Sequence, residues 1–310
     1  MYCFGVDIGG TTVKMGFFDE EGNLLDKWEI VTRRENHGCN ILPDVASAIE
    51  KKLEERSVKK EDVVGIGVGV PAPVTNGGIV KQTANLNWNY KNVKAELEEL
   101  TGITTKVEND ANIAALGEMW KGGGVGNDNM VMISLGTGVG GGIIYNGRIL
   151  TGTNGAGGEI GHIVANPLEK KRCGCGKTGC LEQYASATGI VRLAKRALLD
   201  FDGDTVLDIQ TVTAKDVFDA VKAGDKAAIE IAEEFGRYLG YAMATISTLV
   251  DPSIYVIGGG VSKAGEILFD FIKGPYMEKA FFANEEVKFA LAQLGNDAGI
   301  YGGAKLVLSE

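Results

Sequence analysis

The sequence predicts an α/β protein of two similar halves, and three observations carry that expectation. From Phe4, F-G-V-D-I-G-G-T-T-V-K-M-G-F-F-D-E-E-G-N-L-L reads as an apolar strand, a Gly/Thr turn, a second strand and another turn at Glu21, Gly22 and Asn23. From Met130, M-V-M-I-S-L-G-T-G-V-G-G-G-I-I-Y-N-G-R-I-L repeats that arrangement, with D-I-G-G-T at Asp7 aligning with S-L-G-T-G at Ser134 and Asn146-Gly147 supplying the hairpin turn. The third is S-I-Y-V-I-G-G-G-V from Ser253, an apolar strand running into Gly258, Gly259 and Gly260, with a helical pattern after it around Ala264 to Ile272. Helical spacing also fills Lys226 to Leu249 and stops before Asp251-Pro252.

At 310 residues the chain has room for about two domains, each with a sizeable core. Hydrophobic residues at 45% and charged residues at 23% place it among ordinary globular proteins. A net charge of -10, without clustered Lys and Arg, argues against a nucleic-acid surface. The start, M-Y-C-F-G-V-D, lacks the basic and apolar regions of a secretory signal. The uncharged runs Val63 to Val80 and Asn129 to Gly147 are interrupted by glycines and polar residues, so neither reads as a membrane span. A cytoplasmic protein with reduced thiols is therefore expected.

Each glycine turn lies between two apolar strands, where bare backbone N–H groups can approach phosphate oxygens. Neither matches the Walker pattern, and G-T-G-V-G-G-G lacks the long helix that follows a dinucleotide loop. A tight turn alone accounts for one such hairpin; two of them, with a third glycine loop after a strand, point to a polyphosphate and the nucleoside attached to it.

The candidate for proton transfer lies in T-K-V-E-N-D-A-N-I-A-A-L-G-E-M-W, Thr105 to Trp120. A strand through Val107 should yield at Asn109-Asp110 to a helix with Ile113, Leu116 and Trp120 on its apolar side. Asp110 at that junction either caps the helix or presents a carboxylate as a base, and the two roles are compatible. Further on, Cys173, Cys175 and Cys180 are spaced C-x-C-x4-C, with His162 eleven residues before the first. Three thiolates and an imidazole form the ligand set of a closed tetrahedral zinc site, and Gly174, Gly176 and Gly179 would let ligands so close in sequence converge. Three unrelated buried thiols is the competing reading. Cys3 and Cys39 read as core or incidental residues, and His37 as a surface loop residue.

D-I-G-G-T-T at Asp7, G-V-P-A-P-V at Gly69, E-N-D-A-N at Glu108 and L-G-T-G-V-G-G-G at Leu135 are followed by G-A-G-G-E-I-G-H at Gly155 and C-G-C-G-K-T-G-C-L-E at Cys173. Through these motifs the chain resembles the ROK family of sugar kinases and repressors, within the actin and hexokinase superfamily, over nearly its whole length. A-N-L-N-W at Ala84 brings it nearest to the family's zinc-containing bacterial glucokinases.

The resemblance implies two RNase H-like domains flanking a cleft. We expect a smaller domain of residues 1–117 plus about 297–310 and a larger one of residues 118–296 carrying the zinc loop. It implies ATP-dependent phosphorylation of a hexose, glucose foremost, at O6. Asp110 would be the base, and Asn109, Glu159, His162 and Glu182 would bind hydroxyls beside the backbone at Gly69. Asp7 would position magnesium-bound ATP, with Gly9, Gly10, Thr11, Thr12, Gly136, Thr137 and Gly138 against the phosphates and Gly258, Gly259 and Gly260 near the nucleoside. His162, Cys173, Cys175 and Cys180 would hold a structural zinc, His162 serving metal and sugar with its two ring nitrogens. A homodimer is the family expectation.

Ala72 stands where many relatives carry glycine. Kinases for N-acetylmannosamine, N-acetylglucosamine or fructose share these pocket residues, and polyphosphate serves as donor in part of the family. A sugar-responsive repressor would carry a helix-turn-helix before D-I-G-G-T, where six residues stand here; a non-catalytic sugar sensor is the remaining alternative.

Overall fold

The computed structural model describes residues 1–75, 77–83 and 85–309, so Ala84 of the A-N-L-N-W motif and the last residue of the expected 297–310 segment lie outside the described residues. Along the chain come β1 (Tyr2–Ile8), β2 (Thr12–Asp19), β3 (Leu24–Val31), a helical turn α1 (Glu35–Gly38), α2 (Ile41–Arg56) and β4 (Val63–Val70). Short strands β5 (Val74–Thr75), β6 (Ile79–Val80) and β7 (Lys91–Asn92) precede α3 (Val93–Thr101), β8 (Thr105–Asn109) and α4 (Asp110–Lys121). Then follow β9 (Met130–Leu135), β10 (Val139–Tyr145), β11 (Arg148–Ile149), α5 (Glu182–Ala185), α6 (Ala187–Leu199), α7 (Ala214–Lys222) and α8 (Lys226–Val250). The last elements are β12 (Ile254–Gly258), α9 (Ile267–Lys279), β13 (Lys288–Leu291) and α10 (Ala298–Leu308).

The repeat read from the sequence is a repeat of topology. One five-stranded sheet has the order β3-β2-β1-β4-β8, the other β11-β10-β9-β12-β13. In the first, β1 and β2 are antiparallel, as are β2 and β3, whereas β1/β4 and β4/β8 are parallel. In the second, β10/β11 is antiparallel and β12 lies parallel to both β9 and β13. The expected pair of RNase H-like α/β sheets is what the chain forms. Asn146 and Gly147 both have positive φ, the conformation a two-residue hairpin turn demands.

The chain divides into two compact units, Met1–Asp128 with Gly142–Gly158 and Gln293–Glu310, and Asn129–Gly141 with Glu159–Ala292. Within the first unit β1 and β4 are buried on both faces. Along β1, Phe4, Val6 and Ile8 join α2 in one core, while Cys3 packs with Ile300, Ala304 and Val307 of α10. Strand β4, V-V-G-I-G-V-G-V, splits its period of two in the same way: Ile66, Val68 and Val70 enter the α2 core, and glycines occupy the other face. A Cβ on Gly67 would lie 1.8 Å from the Gly303 carbonyl oxygen, so backbone meets backbone there. Helix α10 is apposed to α4 as closely, since a Cβ on Gly302 would reach 1.6 Å from the Ile113 carbonyl oxygen.

Where the chain leaves α4, Glu118 is fully buried. Its carboxylate accepts from the Gly123, Gln293 and Leu294 backbone N–H groups at 2.8–2.9 Å. One side chain thus holds the segment running toward Asn129 and the segment returning at Gln293. In the second unit α8, α9 and β12 share a core in which the Ser247 hydroxyl lies 2.9 Å from the hydroxyls of Tyr255 and Tyr276. The helix expected from Ala264 starts later. Gly259 and Gly265 adopt positive φ, and a 3-10 turn over Gly260–Ala264 takes up the interval before α9. No helix among the described residues is long and apolar enough to cross a membrane.

Candidate active site

Asp7 lies near the end of β1, on the face that meets α10. It approaches the helix N-terminus so closely that a Cβ on Gly299 would stand 2.7 Å from its carboxylate. Burial pushes the Asp7 carboxyl above its ordinary range, and Lys14 draws it partly back. A bound divalent cation would reverse that burial penalty. The turn after β1 is tight, with the Gly9 N–H donating to the Thr12 carbonyl at 3.0 Å and the Thr32 hydroxyl donating to the Gly9 carbonyl at 2.7 Å.

Asp110 is the first residue of α4, and the cap of that helix is Asn109. The Asn109 Oδ1 accepts from the N–H groups of Ala111 at 2.9 Å and Asn112 at 3.2 Å, and its Nδ2 donates to the Ala72 carbonyl at 3.3 Å. The capping role open to Asp110 in the sequence is therefore filled by its neighbour, although the Asp110 Oδ1 also accepts from the Ala111 N–H. Gly69, one strand over, leaves room for Ile113, whose Cδ1 would lie 2.1 Å from a Cβ there. Beneath this junction Glu108 is 6% exposed. It accepts from the Asn109 N–H and the Asn112 Nδ2 on one oxygen and from the Thr151 hydroxyl on the other, at 2.7–3.1 Å. That bond orients the Asn112 amide and leaves its Oδ1 buried without a partner among the described residues.

In the second unit the Gly136–Gly138 turn is closed by a 3.0 Å bond between its own ends, and the first backbone N–H of α6, at Ala187, donates to the Gly136 carbonyl. The Glu182 carboxylate sits against this turn. It accepts from the Val139 N–H at 3.1 Å and lies 3.3 Å from Cys173 Sγ, and a Cβ on Gly138 would come within 2.2 Å of it. Gly260 borders a cavity of about 330 Å³ walled by Ala187, Ala214, Phe218, Val261 and Ala264. The walls from α7 had no signal in the glycine loop; the legible part was the T-x-x-D capping box at Thr213 and Asp216 that starts the helix.

The structure brings His162, Cys173, Cys175 and Cys180 together, with one ligand atom from each within 4.8 Å of the others. Cys173 Sγ is 3.9 Å from His162 Nδ1, and Cys175 Sγ is 3.6 Å from Cys180 Sγ. Those separations match the edges of a tetrahedron about a zinc ion with Zn–S bonds of about 2.3 Å. Burial pushes the Cys173 thiol up to about 12 and raises Cys180, whereas backbone N–H donation lowers Cys175. A dication gives such buried sulfurs a reason to ionise. The His162 Nδ1 faces the sulfurs and its Nε2 lies 3.8 Å from Glu159. Gly176 and Gly179 take positive φ as a tight loop requires; Gly174 does not.

The outer arm of this loop has a clamp that the sequence did not reveal. Glu169 accepts from the Lys170 and Lys171 N–H groups, the Tyr184 hydroxyl and Arg192 Nη1 at 2.6–2.9 Å, and the Arg192 guanidinium lies over the Tyr184 ring. Donation from the Lys171 backbone, then from Arg192 and Tyr184, lowers the Glu169 carboxyl from 4.5 to about 2. A depressed carboxyl stabilises the fold above its unfolded value and loses that contribution as pH falls through the folded one. Glu169→Gln should therefore lower the thermal midpoint at pH 7, by a margin that shrinks as both proteins are acidified from 4.5 toward 2. A margin independent of pH would show that the charge contributes nothing.

A family model described as the ROK family matches residues 3–310. The chain belongs to the ROK family. This ROK protein is similar to the glucokinase of Halalkalibacterium halodurans, 46% identical across 98% of this chain and 94% of that protein. Among solved structures it resembles a ROK hexokinase from Thermus thermophilus, with a TM-score of 0.83, 32% identity and coverage of 98% of this chain and 97% of that one. It also resembles a ROK family glucokinase from Streptomyces griseus in complex with glucose and AMPPNP, with a TM-score of 0.76, 34% identity and 99% of each chain covered.

Proposed function

We propose that this ROK protein is a glucokinase that transfers the γ-phosphoryl group of ATP to O6 of glucose, releasing glucose 6-phosphate and ADP. The observation that carries the reading is the 46% identity to a glucokinase, in a chain whose Asp110 heads a helix already capped by its neighbour. That carboxylate accepts the O6 proton as the oxygen bonds to phosphorus. Asn109, Glu159, His162, Glu182 and the backbone at Gly69 orient the sugar, and orientation alone supplies a large part of such an acceleration.

The turns Gly9–Thr12 and Gly136–Gly138 take the phosphate oxygens on backbone N–H groups such as those of Gly10, Thr11, Thr137 and Gly138, since the Gly9 and Gly136 N–H groups close the turns themselves. The base and ribose occupy the apolar cavity beside Gly258, Gly259 and Gly260. Magnesium, when bound, offsets charge on the phosphates, and Asp7 is the carboxylate that would hold it. Zinc, held by His162, Cys173, Cys175 and Cys180, would supply rigidity rather than an activated water, and through the second ring nitrogen of His162 it would set a sugar-binding side chain, with Glu182 two residues after the ligand Cys180.

Purified protein should accordingly hold one zinc per chain by elemental analysis. Cys175→Ser should reduce that content and raise KM for glucose by about ten- to a hundred-fold. Unchanged metal content in the variant, or no zinc in the parent, would remove the site. The function itself is tested by coupled ADP release over a panel of hexoses and N-acetylhexosamines, with and without magnesium. Glucose should give the highest kcat/KM and magnesium should be required; another preferred sugar, or ADP release that no sugar stimulates, defeats the reading.

A further inference from the structure

The E-N-D-A-N motif contains a glutamate to which the reaction gives no task. Glu108 is buried and divides its two oxygens between different parts of the chain. Oε1 accepts the Asn109 N–H at 2.8 Å and the Asn112 Nδ2 at 3.1 Å, gripping the residues on either side of Asp110. Oε2 accepts the Thr151 hydroxyl at 2.7 Å, from a residue 43 positions away.

Thr151 begins the run that continues through G-A-G-G to Glu159. That run is laid down tightly: the Gly157 N–H donates to the Thr151 carbonyl at 2.8 Å, and a Cβ on Gly155 would lie 2.2 Å from the Val74 carbonyl oxygen. The network also tolerates an unpartnered buried oxygen on Asn112, a cost that an apolar residue at the same place would avoid.

We propose that Glu108 and Thr151 are positioning residues for the phosphoryl-transfer reaction: one buried carboxylate sets the start of α4, which carries Asp110, against the run that leads to Glu159. The inference rests on the kinase reading and adds to it. A reacting group displaced by about 1 Å can lose about a hundred-fold in rate, so a single hydroxyl beneath the base should be visible in kinetics.

The test compares Thr151→Val, which keeps the shape and removes the donor, with Thr151→Ser, which keeps the donor. Both are assayed on the hexose that the parent turns over fastest. Thr151→Val should lower kcat/KM for the hexose about ten-fold or more while KM for ATP stays within about two-fold, and Thr151→Ser should recover to within about two-fold of the parent. Equal kinetics in parent and Thr151→Val, or equal impairment in the Val and Ser variants, overturns the proposal. If Thr151→Val does not fold, Glu108→Gln replaces it, and the same split between hexose and ATP parameters is required. A parent that phosphorylates no hexose overturns the kinase reading and this inference together; an active parent with an indifferent Thr151 overturns this inference alone.

Discussion

Asp110→Ala is expected to reduce kcat for glucose by about a hundred- to ten-thousand-fold, the range over which a positioned base acts. The variant should fold, because the cap of α4 belongs to Asn109, whose Oδ1 already satisfies the Ala111 and Asn112 N–H groups. The interaction of its carboxylate with the helix N-terminus contributes only about 0.3–1 kcal/mol. Steady-state phosphorylation and a thermal melt on the same preparation check both halves of the statement. Turnover within about ten-fold of the parent, short of the roughly hundred-fold minimum for a positioned base, would take Asp110 out of the base role. A large fall in melting temperature would show that the inactive enzyme was merely unfolded.

The largest loss of stability is expected at Gly302→Ala. The new methyl group would have to occupy a point 1.6 Å from the Ile113 carbonyl oxygen and 3.0 Å from the Gly117 nitrogen, both of them main-chain atoms of α4. No rotamer change relieves such a clash, so the two helices must separate. Overpacking costs about 1–3 kcal/mol when side chains can adjust, and here the upper end applies. For a unit of this size about 3 kcal/mol lowers Tm by roughly 6–12 °C. Because α4 also carries Asp110, kcat should fall with the melting temperature. A variant as stable as the parent would mean that α10 does not lie against α4 as described.

The sequence was most legible where one local rule decided the outcome. Apolar runs on either side of a glycine turn marked β1, β2, β9 and β10, and Asn146-Gly147 marked its own turn, because these signals lie within a few neighbouring residues. The metal cluster was legible because its three cysteines fall within one short loop. Pairings over long separations were hidden. Glu108 meets Thr151 across 43 positions and Glu118 meets Gln293 across 175, and neither residue type foretells its partner. Asp110 was ambiguous for a different reason: Asn109 and Asp110 are both good capping residues, and only the backbone shows which one precedes the first helical φ/ψ. The glycines of α10 and β4 carried a readable signal, spacings of three and four on the helix and of two on the strand. What they faced could not be inferred.

That glycine seam bears on how the protein is made. One face of the first sheet is closed by α10, whose residues 298–308 are synthesised after everything from Asn129 to Ala292. At about 5–20 residues per second, Cys3, Phe18 and the bare backbone around Gly5 and Gly67 wait roughly twelve to sixty seconds before their cover is synthesised. Translation therefore delivers an early half with an open flank, and a message cut short before codon 298 yields a polypeptide on which that flank never closes.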